Sequence, residues 1–131
     1  MKWHGKYPRL RGLLMALTLV TATSQVVGQE SDRYHPLTAK DLYEGIMNGS
    51  LASWVEDPAD RTMLSTLMAT SYILGVADSS RGKQWCPVQE TSAQTLAGPV
   101  LDYLADLPEP RYSEDAAAIV VEALAKVQPC P

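Results

Sequence analysis

Residues 57–80, DPADRTMLSTLMATSYILGVADSS, carry the helical pattern that decides the fold class of this chain. Asp57 is a typical N-cap, Pro58 suits the first helical position, and Asp60 lies in the first turn, where an acidic side chain is favourable. The pattern predicts a helix that begins here and continues to about Ser79.

The apolar residues of this helix recur at spacings of three and four, as expected for a stripe that faces a core. Two small residues, Ser71 and Gly75, belong to the stripe and lie four apart, so that another helix can approach this face closely. We therefore predict that the stripe is buried against the rest of the fold. It consists of Met63, Leu64, Leu67, Met68, Ser71, Leu74 and Gly75.

Three more helices are predicted from the rest of the chain. Residues 38–48 begin with the capping-box-like TAKD and end at the turn residues NGS. Residues 91–106 begin with TSAQ, and a last helix is capped by Ser113 and ends before Pro129. No segment alternates with a period of two for long. The predicted fold class is all-α, a small helical bundle of about four to five helices.

The third predicted helix contains the dipeptide Gly98-Pro99, which is unusual in a helix interior because proline removes one hydrogen bond and clashes with the preceding turn. The apolar stripe of Leu96, Val100 and Leu104 keeps its phase across the proline. We therefore predict one kinked helix here, with two short helices as the alternative.

Residues 1–28 have the features of a secretory signal peptide. The first twelve residues hold four basic and no acidic side chains, and residues 13–23 form an apolar run of suitable length. Val26 and Gly28 suit the −3 and −1 positions of a cleavage site. We expect cleavage after Gly28, export to the periplasm, and one mature domain over residues 29–131; an uncleaved anchor is the alternative, although the run is short for a membrane span.

The mature chain is strongly acidic. Four of the eleven basic residues lie in the predicted signal peptide, which leaves seven against fifteen acidic residues, a formal charge of −8. A chain of this charge repels phosphate backbones, which argues against a nucleic-acid partner. About 100 residues suffice for one domain with a modest core.

The mature chain has two cysteines, Cys86 and Cys130, which export places in an oxidising compartment. A nucleophilic cysteine needs a nearby base, and His35 is the one histidine of the mature chain. The sequence has no metal-ligand spacing such as CxxC, and it has no sequence motif of a hydrolase or of a phosphate-binding loop. We therefore expect a Cys86–Cys130 disulfide, no cofactor, no metal and no catalytic residue; free thiols or a reactive cysteine are the alternatives.

Short motifs over much of the mature chain occur in an order that suggests a known family. They are YILGV at residues 72–76 followed by Asp78, WC at 85–86, Thr91 and Gln94, Tyr103, Leu104 and Pro108, Arg111, and the closing ALAKVQPC. Together with the TAKDL opening at 38–42, these motifs resemble the Rap/Tai family of bacterial periplasmic proteins. Two cysteines that are common in that family are replaced here by apolar residues, near Ile46 and Ala69, and Pro87 directly follows the WC motif.

The resemblance implies an immunity protein that binds a type VI secretion peptidoglycan amidase and blocks its active-site groove, without chemistry of its own. It also implies dimers that hold two toxin molecules. The alternatives are a periplasmic chaperone of the small helical acid-stress type, and a family member with an unassigned binding role.

A groove-blocking protein needs exposed anchors, and the segment 79–90 between two predicted helices is the best candidate. It offers Arg81, Lys83, Gln84 and Trp85 on an otherwise acidic protein, and Arg111 and Tyr112 form a second candidate surface. Each of them has an alternative role that involves no partner. Trp85 would pack in the core, Arg81 and Lys83 would be ordinary solvated charges, and Arg111 and Tyr112 would be a structural pair that bonds nearby helix-end carbonyls.

Three apolar residues near the first predicted turn, Met47, Leu51 and Trp54, have no assigned place in a small core. They motivate the prediction of a homodimer, and burial inside one bundle is the alternative. We expect Trp54 to cover the core.

Overall fold

The computed structural model describes residues 34–88 and 91–131, and over these residues the predicted all-α fold is confirmed: they contain four α-helices and two 3-10 helices, and no β-strand. The predicted signal peptide and its cleavage site lie outside the described residues. In chain order the elements are α1 (Ala39–Asn48), a 3-10 helix (Ser50–Ala52), α2 (Pro58–Ser80), α3 (Ala93–Ala105), a second 3-10 helix (Glu109–Ser113) and α4 (Ala116–Val127).

The local start and stop signals account for most helix ends. Thr38 and Asp41 form the predicted capping box of α1, and Gly49 ends the helix with a φ of 80°, a conformation that favours glycine. Asp57 caps α2 by accepting hydrogen bonds from the next two free backbone N–H groups. α3 continues through Pro99, as predicted.

The predicted N-cap of α4, Ser113, is wrong. Residues 109–113 form the second 3-10 helix, and the Ser113 hydroxyl donates to the carbonyl of Pro110 at 3.1 Å. Asp115 caps α4 instead, accepting from the backbone N–H of Ala117 at 2.7 Å. The second 3-10 helix therefore includes Ser113, so that α4 begins later than the sequence pattern predicted.

The core lies where α1, α3 and α4 pack against one face of α2. Its largest fully buried side chains come from all four helices: Leu42, Ile73, Val100, Leu104, Ile119 and Val120. The segment before α1 is joined to the start of α4, because the Ala39 N–H donates to the Glu114 carbonyl and the Ala116 N–H donates to the Leu37 carbonyl, at 2.9 and 2.8 Å. These bonds join the N-terminal segment of the described domain to the start of its last helix.

The predicted core stripe of α2 is wrong. The buried face of this helix carries mainly small residues, Ser65, Ala69, Ile73, Ala77 and Ser80. Met63 and Leu67, which we expected in the core, are 68% and 63% exposed. The small side chains allow the neighbouring helices to pack closely on that face, and the large apolar side chains are left on the outside.

The three apolar residues that motivated the homodimer prediction, Met47, Leu51 and Trp54, differ in their exposure. Leu51 is half-buried and packs against the core, whereas Met47 and Trp54 are 58% and 67% exposed. Trp54 therefore does not cover the core, and this expectation is wrong. Among the described residues, no helix is both long enough and apolar enough to cross a membrane.

Candidate functional site

A tight turn follows the long helix α2 and presents the first candidate surface. Gly82 adopts a φ of 72°, which allows its N–H to donate back to the Trp85 carbonyl at 2.8 Å. The N–H groups of Lys83 and Gln84 both donate to the Ser80 carbonyl at 3.1 Å. The turn therefore satisfies the free carbonyl at the end of α2 and has a defined backbone conformation.

Trp85 lies beneath this turn rather than on it. Its side chain is 3% exposed, belongs to the hydrophobic core and donates from Nε1 to the Ala77 carbonyl at 2.8 Å. A buried indole cannot contact a partner without unfolding the turn. The structural alternative, core packing, describes this residue.

The next residue is covalently joined to the end of the chain. Cys86 and Cys130 form the predicted disulfide, which is thereby confirmed, with a Cα–Cα distance of 4.7 Å. The Cys86 N–H also donates to the Gln128 carbonyl at 3.0 Å. The turn is thus connected at one end to α2 and at the other to the segment after α4.

Arg81, Lys83 and Gln84 occupy the exposed part of the turn. Among the described residues, neither cation lies within ion-pair distance of a carboxylate. A shallow groove of about 400 Å³ lies beside the turn and is lined in part by Leu74, Asp78, Pro87 and Leu96. The arrangement offers two positive charges and one amide to an external surface.

The second candidate surface is built around Arg111, and its side chain is fully engaged. Its guanidinium donates to the carboxylates of Glu122 at 2.7 Å and of Glu114 at 2.8 Å, and the Tyr103 hydroxyl donates to Glu122. The Arg111 hydrogen bonds, and then that of Tyr103, lower the pKa of Glu122 to about 2, and Arg111 likewise lowers the pKa of Glu114. The hydrogen bond to Glu122 raises the pKa of Tyr103.

Tyr112 is engaged as well. Its hydroxyl donates to the Leu104 carbonyl at 2.9 Å, near the end of α3, and its ring lies 5.9 Å from that of Tyr43. Tyr112 therefore has the structural role expected as the alternative, a bond to a helix-end carbonyl. Arg111 also has a structural role, but its partners are side chains and not helix-end carbonyls.

Sequence reasoning did not find the acidic partners of Arg111. Glu114 lies three residues further along the chain and was detectable as a local pair. Glu122 lies on α4, eleven residues away, which is too far along a single helix for a side-chain contact. Only the tertiary arrangement of the second 3-10 helix and α4 brings the two residues together. No group of three or more His, Cys, Asp or Glu side chains that could hold a metal ion occurs in residues 34–88 or 91–131.

The family model of the Rap1a immunity proteins matches residues 38–130 of the chain. The chain belongs to this family. The match begins at the N-cap of α1 and ends at the second disulfide cysteine, so it includes all four helices and the candidate turn. A search of curated proteins finds no match.

Membership in the Rap1a immunity family confirms the resemblance seen in the sequence motifs. It implies an immunity protein against a type VI secretion effector, and hence a protein partner. Members of this family are typically periplasmic and typically lack enzymatic activity. The two candidate surfaces are therefore best compared as surfaces for binding a protein.

Proposed function

We propose that this Rap1a immunity protein acts in the periplasm, where it binds a peptidoglycan amidase effector of a type VI secretion system and blocks its active-site groove. The observation that carries the proposal is the exposed turn of Arg81, Lys83 and Gln84, held between α2 and the disulfide. The amidase as target follows from the resemblance to the Rap/Tai family.

The turn suits a groove-blocking role because its conformation exists before binding. Ordering a mobile loop on association subtracts from affinity, whereas a loop fixed by its own hydrogen bonds avoids that loss. Two N–H groups bonded to the Ser80 carbonyl, together with the disulfide at Cys86, provide this order. Arg111 and Tyr112 are not part of the proposal, because their polar atoms are already bonded within the fold.

Charge complementarity gives the turn its selectivity. Arg81 and Lys83 are positive side chains on an acidic protein, and we expect them to contact acidic residues at the rim of the effector's groove. Gln84 supplies hydrogen bonds whose geometry depends on the partner.

The experiment measures binding of the double variant Arg81→Glu/Lys83→Glu to an amidase encoded next to this protein's gene. We expect binding to weaken by roughly 2 kcal/mol or more, because two attractive contacts become repulsive. Calorimetry gives the dissociation constant, and protection of cells against the amidase gives the biological readout.

The matched control for either single reversal, Arg81→Glu or Lys83→Glu, is Lys40→Glu, which changes the net charge by the same amount on α1. This control should bind as the wild type does. If the turn variant folds and still binds at wild-type strength, the turn is not the contact surface; if no neighbouring amidase binds the wild type, the proposed target is wrong.

The periplasmic location is tested by the N-terminus of the exported protein. We expect protein recovered from the periplasm to begin near Gln29, because the predicted cleavage site follows Gly28. A full-length product found in the cytoplasm would contradict this part of the proposal.

We also propose that the protein is a homodimer. The support is the apolar surface of the described domain, where Met47, Trp54, Met63 and Leu67 are each more than half exposed. Light scattering at tens of micromolar should give twice the mass of the mature chain, and a monomer at that concentration would remove the proposal.

A further inference from the structure

One line of residues along α2 faces solvent over nearly the whole helix. Every fourth residue from position 59 to 79 is exposed, and none of the other described helices covers this line. We call it the outer ridge of α2; it consists of Ala59, Met63, Leu67, Ser71, Gly75 and Ser79. Residues four apart on a helix form a continuous ridge that can pack against another helix.

Within the described residues, the missing side chain of Gly75 on this ridge is not required by a neighbouring element. Apart from the adjacent backbone of α2 itself, a Cβ atom placed on it would meet no atom of the described residues within 4 Å. Glycine weakens a helix interior relative to alanine. The missing side chain leaves room for close approach from outside, which matches the expectation that another helix approaches Ser71 and Gly75.

Large and small residues are separated along the outer ridge. Met63 and Leu67 lie in its N-terminal half, and Ser71 and Gly75 lie in its C-terminal half. A second copy related by a two-fold axis at the level of residue 69 reverses this order. Met63 then lies beside the partner's Gly75, and Leu67 lies beside the partner's Ser71, so that each large side chain meets a small one.

We propose that the outer ridge of α2 is the interface of the homodimer, and that two copies pack along it in antiparallel orientation about a two-fold axis at the level of residue 69. This inference rests on the proposed homodimer and adds its surface and register. A parallel arrangement would place large residues against large and small against small. A self-complementary surface is the property that a two-fold interface requires, which favours a second copy over an unrelated partner.

The geometry agrees with a common mode of helix packing. Two helices whose i,i+4 ridges interdigitate cross at about −50°, the commonest class in globular proteins. In this class the two ridges run alongside each other, and their end residues, Ala59 and the partner's Ser79, are neighbours.

Cross-linking tests the register. A chain with Ala59→Cys is mixed with a chain with Ser79→Cys and treated with a short bismaleimide, with the native disulfide intact. We expect cross-linked dimers in the mixture and none from either variant alone, because two copies of residue 59, or of residue 79, would lie about 30 Å apart along the paired helices. Both positions lie at the ends of the ridge, so its central contacts are unchanged.

A dimer that cross-links through either single variant, or fails to cross-link in the mixture, overturns the register while the homodimer stands. A monomer in light scattering removes both. The two failures are therefore distinguishable, and neither depends on binding to an amidase.

Gly75→Leu tests the surface independently. At a concentration where the protein is monomeric, the melting temperature should stay the same or rise, because the glycine leaves a helix interior and the new side chain enters open space. The dissociation constant of the dimer should rise about tenfold or more, because the added side chain separates the two ridges. Gln94→Leu, on the exposed side of α3, is the matched control and should dimerise normally; equally tight dimerisation by Gly75→Leu would overturn the proposal.

Discussion

Trp85 stabilises the exposed turn from below. Its ring fills the space under the last turns of α2, and its Nε1 donates to the Ala77 carbonyl, a group near the helix end. The neighbouring residue, Cys86, carries the disulfide. Trp85 therefore serves the proposed binding surface by positioning Arg81 and Lys83, not by contacting a partner.

Trp85→Ala should lower the free energy of unfolding by about 3–5 kcal/mol, because it removes a large buried side chain and leaves a cavity. Trp85→Phe should cost less, since it keeps most of the apolar volume and loses chiefly the hydrogen bond to Ala77. Urea denaturation measures both values.

Gln84→Ala is the control for this measurement. Gln84 is exposed in the same turn, and its replacement should change stability by no more than about 0.5 kcal/mol. An unchanged unfolding midpoint for Trp85→Ala would contradict the burial described here.

At the scale of the helices, the polar cluster around Arg111 joins three elements. Arg111 belongs to the second 3-10 helix, Tyr103 to α3 and Glu122 to α4. Lys126 adds a contact from α4, with its ammonium 5.3 Å from the centre of the Tyr103 ring. These contacts lie near the surface, so we expect them to orient the helix ends more than to stabilise the core.

The cluster predicts a specific pH dependence. The pKa of Glu122 is about 2 in the fold, against an ordinary value of 4.5, because the carboxylate accepts hydrogen bonds from Arg111 and Tyr103. Because this pKa is lowered in the fold, the ionised Glu122 carboxylate contributes its full share to the free energy of unfolding above about pH 4.5. This contribution is lost as the pH falls toward 2. Glu122→Gln should therefore reduce stability at neutral pH and make the decline between pH 4.5 and 2 shallower.

Urea denaturation at a series of pH values measures this effect. Glu56→Gln, which removes an exposed carboxylate outside the cluster, is the control and should leave the neutral-pH stability unchanged. A Glu122→Gln profile parallel to that of the wild type would show that the ion pair contributes nothing to the fold.

At the scale of the whole molecule, two long-range connections close the domain. The disulfide joins the segment after α4 to the turn after α2, over a sequence separation of 44 residues. The backbone bonds between the segment before α1 and the start of α4 are the second connection. A domain of this size has a small core, and such connections contribute a large share of its stability.

The double variant Cys86→Ser/Cys130→Ser should lower the free energy of unfolding by about 2–5 kcal/mol, consistent with the loss of a cross-link over a loop of this length. The measured melting temperature should fall accordingly, and reduction of the wild type should have a similar effect. Labelling of both thiols in the native protein without reductant would contradict the disulfide.

The sequence by itself determined the local features of this protein. The capping box at Thr38, the Asp57-Pro58 start and the Gly49 stop depend on neighbouring residues alone, so their patterns predicted the helices. The pairing of Cys86 with Cys130 was predictable because the sequence has only these two cysteines. The ordered family motifs indicated an immunity protein, and the family match bears this out.

Only the tertiary structure decided which face of α2 is buried. Periodicity gives most weight to large apolar residues and therefore selected the face of Met63 and Leu67. The neighbouring helices instead pack on Ser65, Ala69 and Ala77, because small side chains permit close approach and good packing. The burial of Trp85 and the engagement of Arg111 were likewise decided by contacts between elements distant in sequence, which no local pattern records.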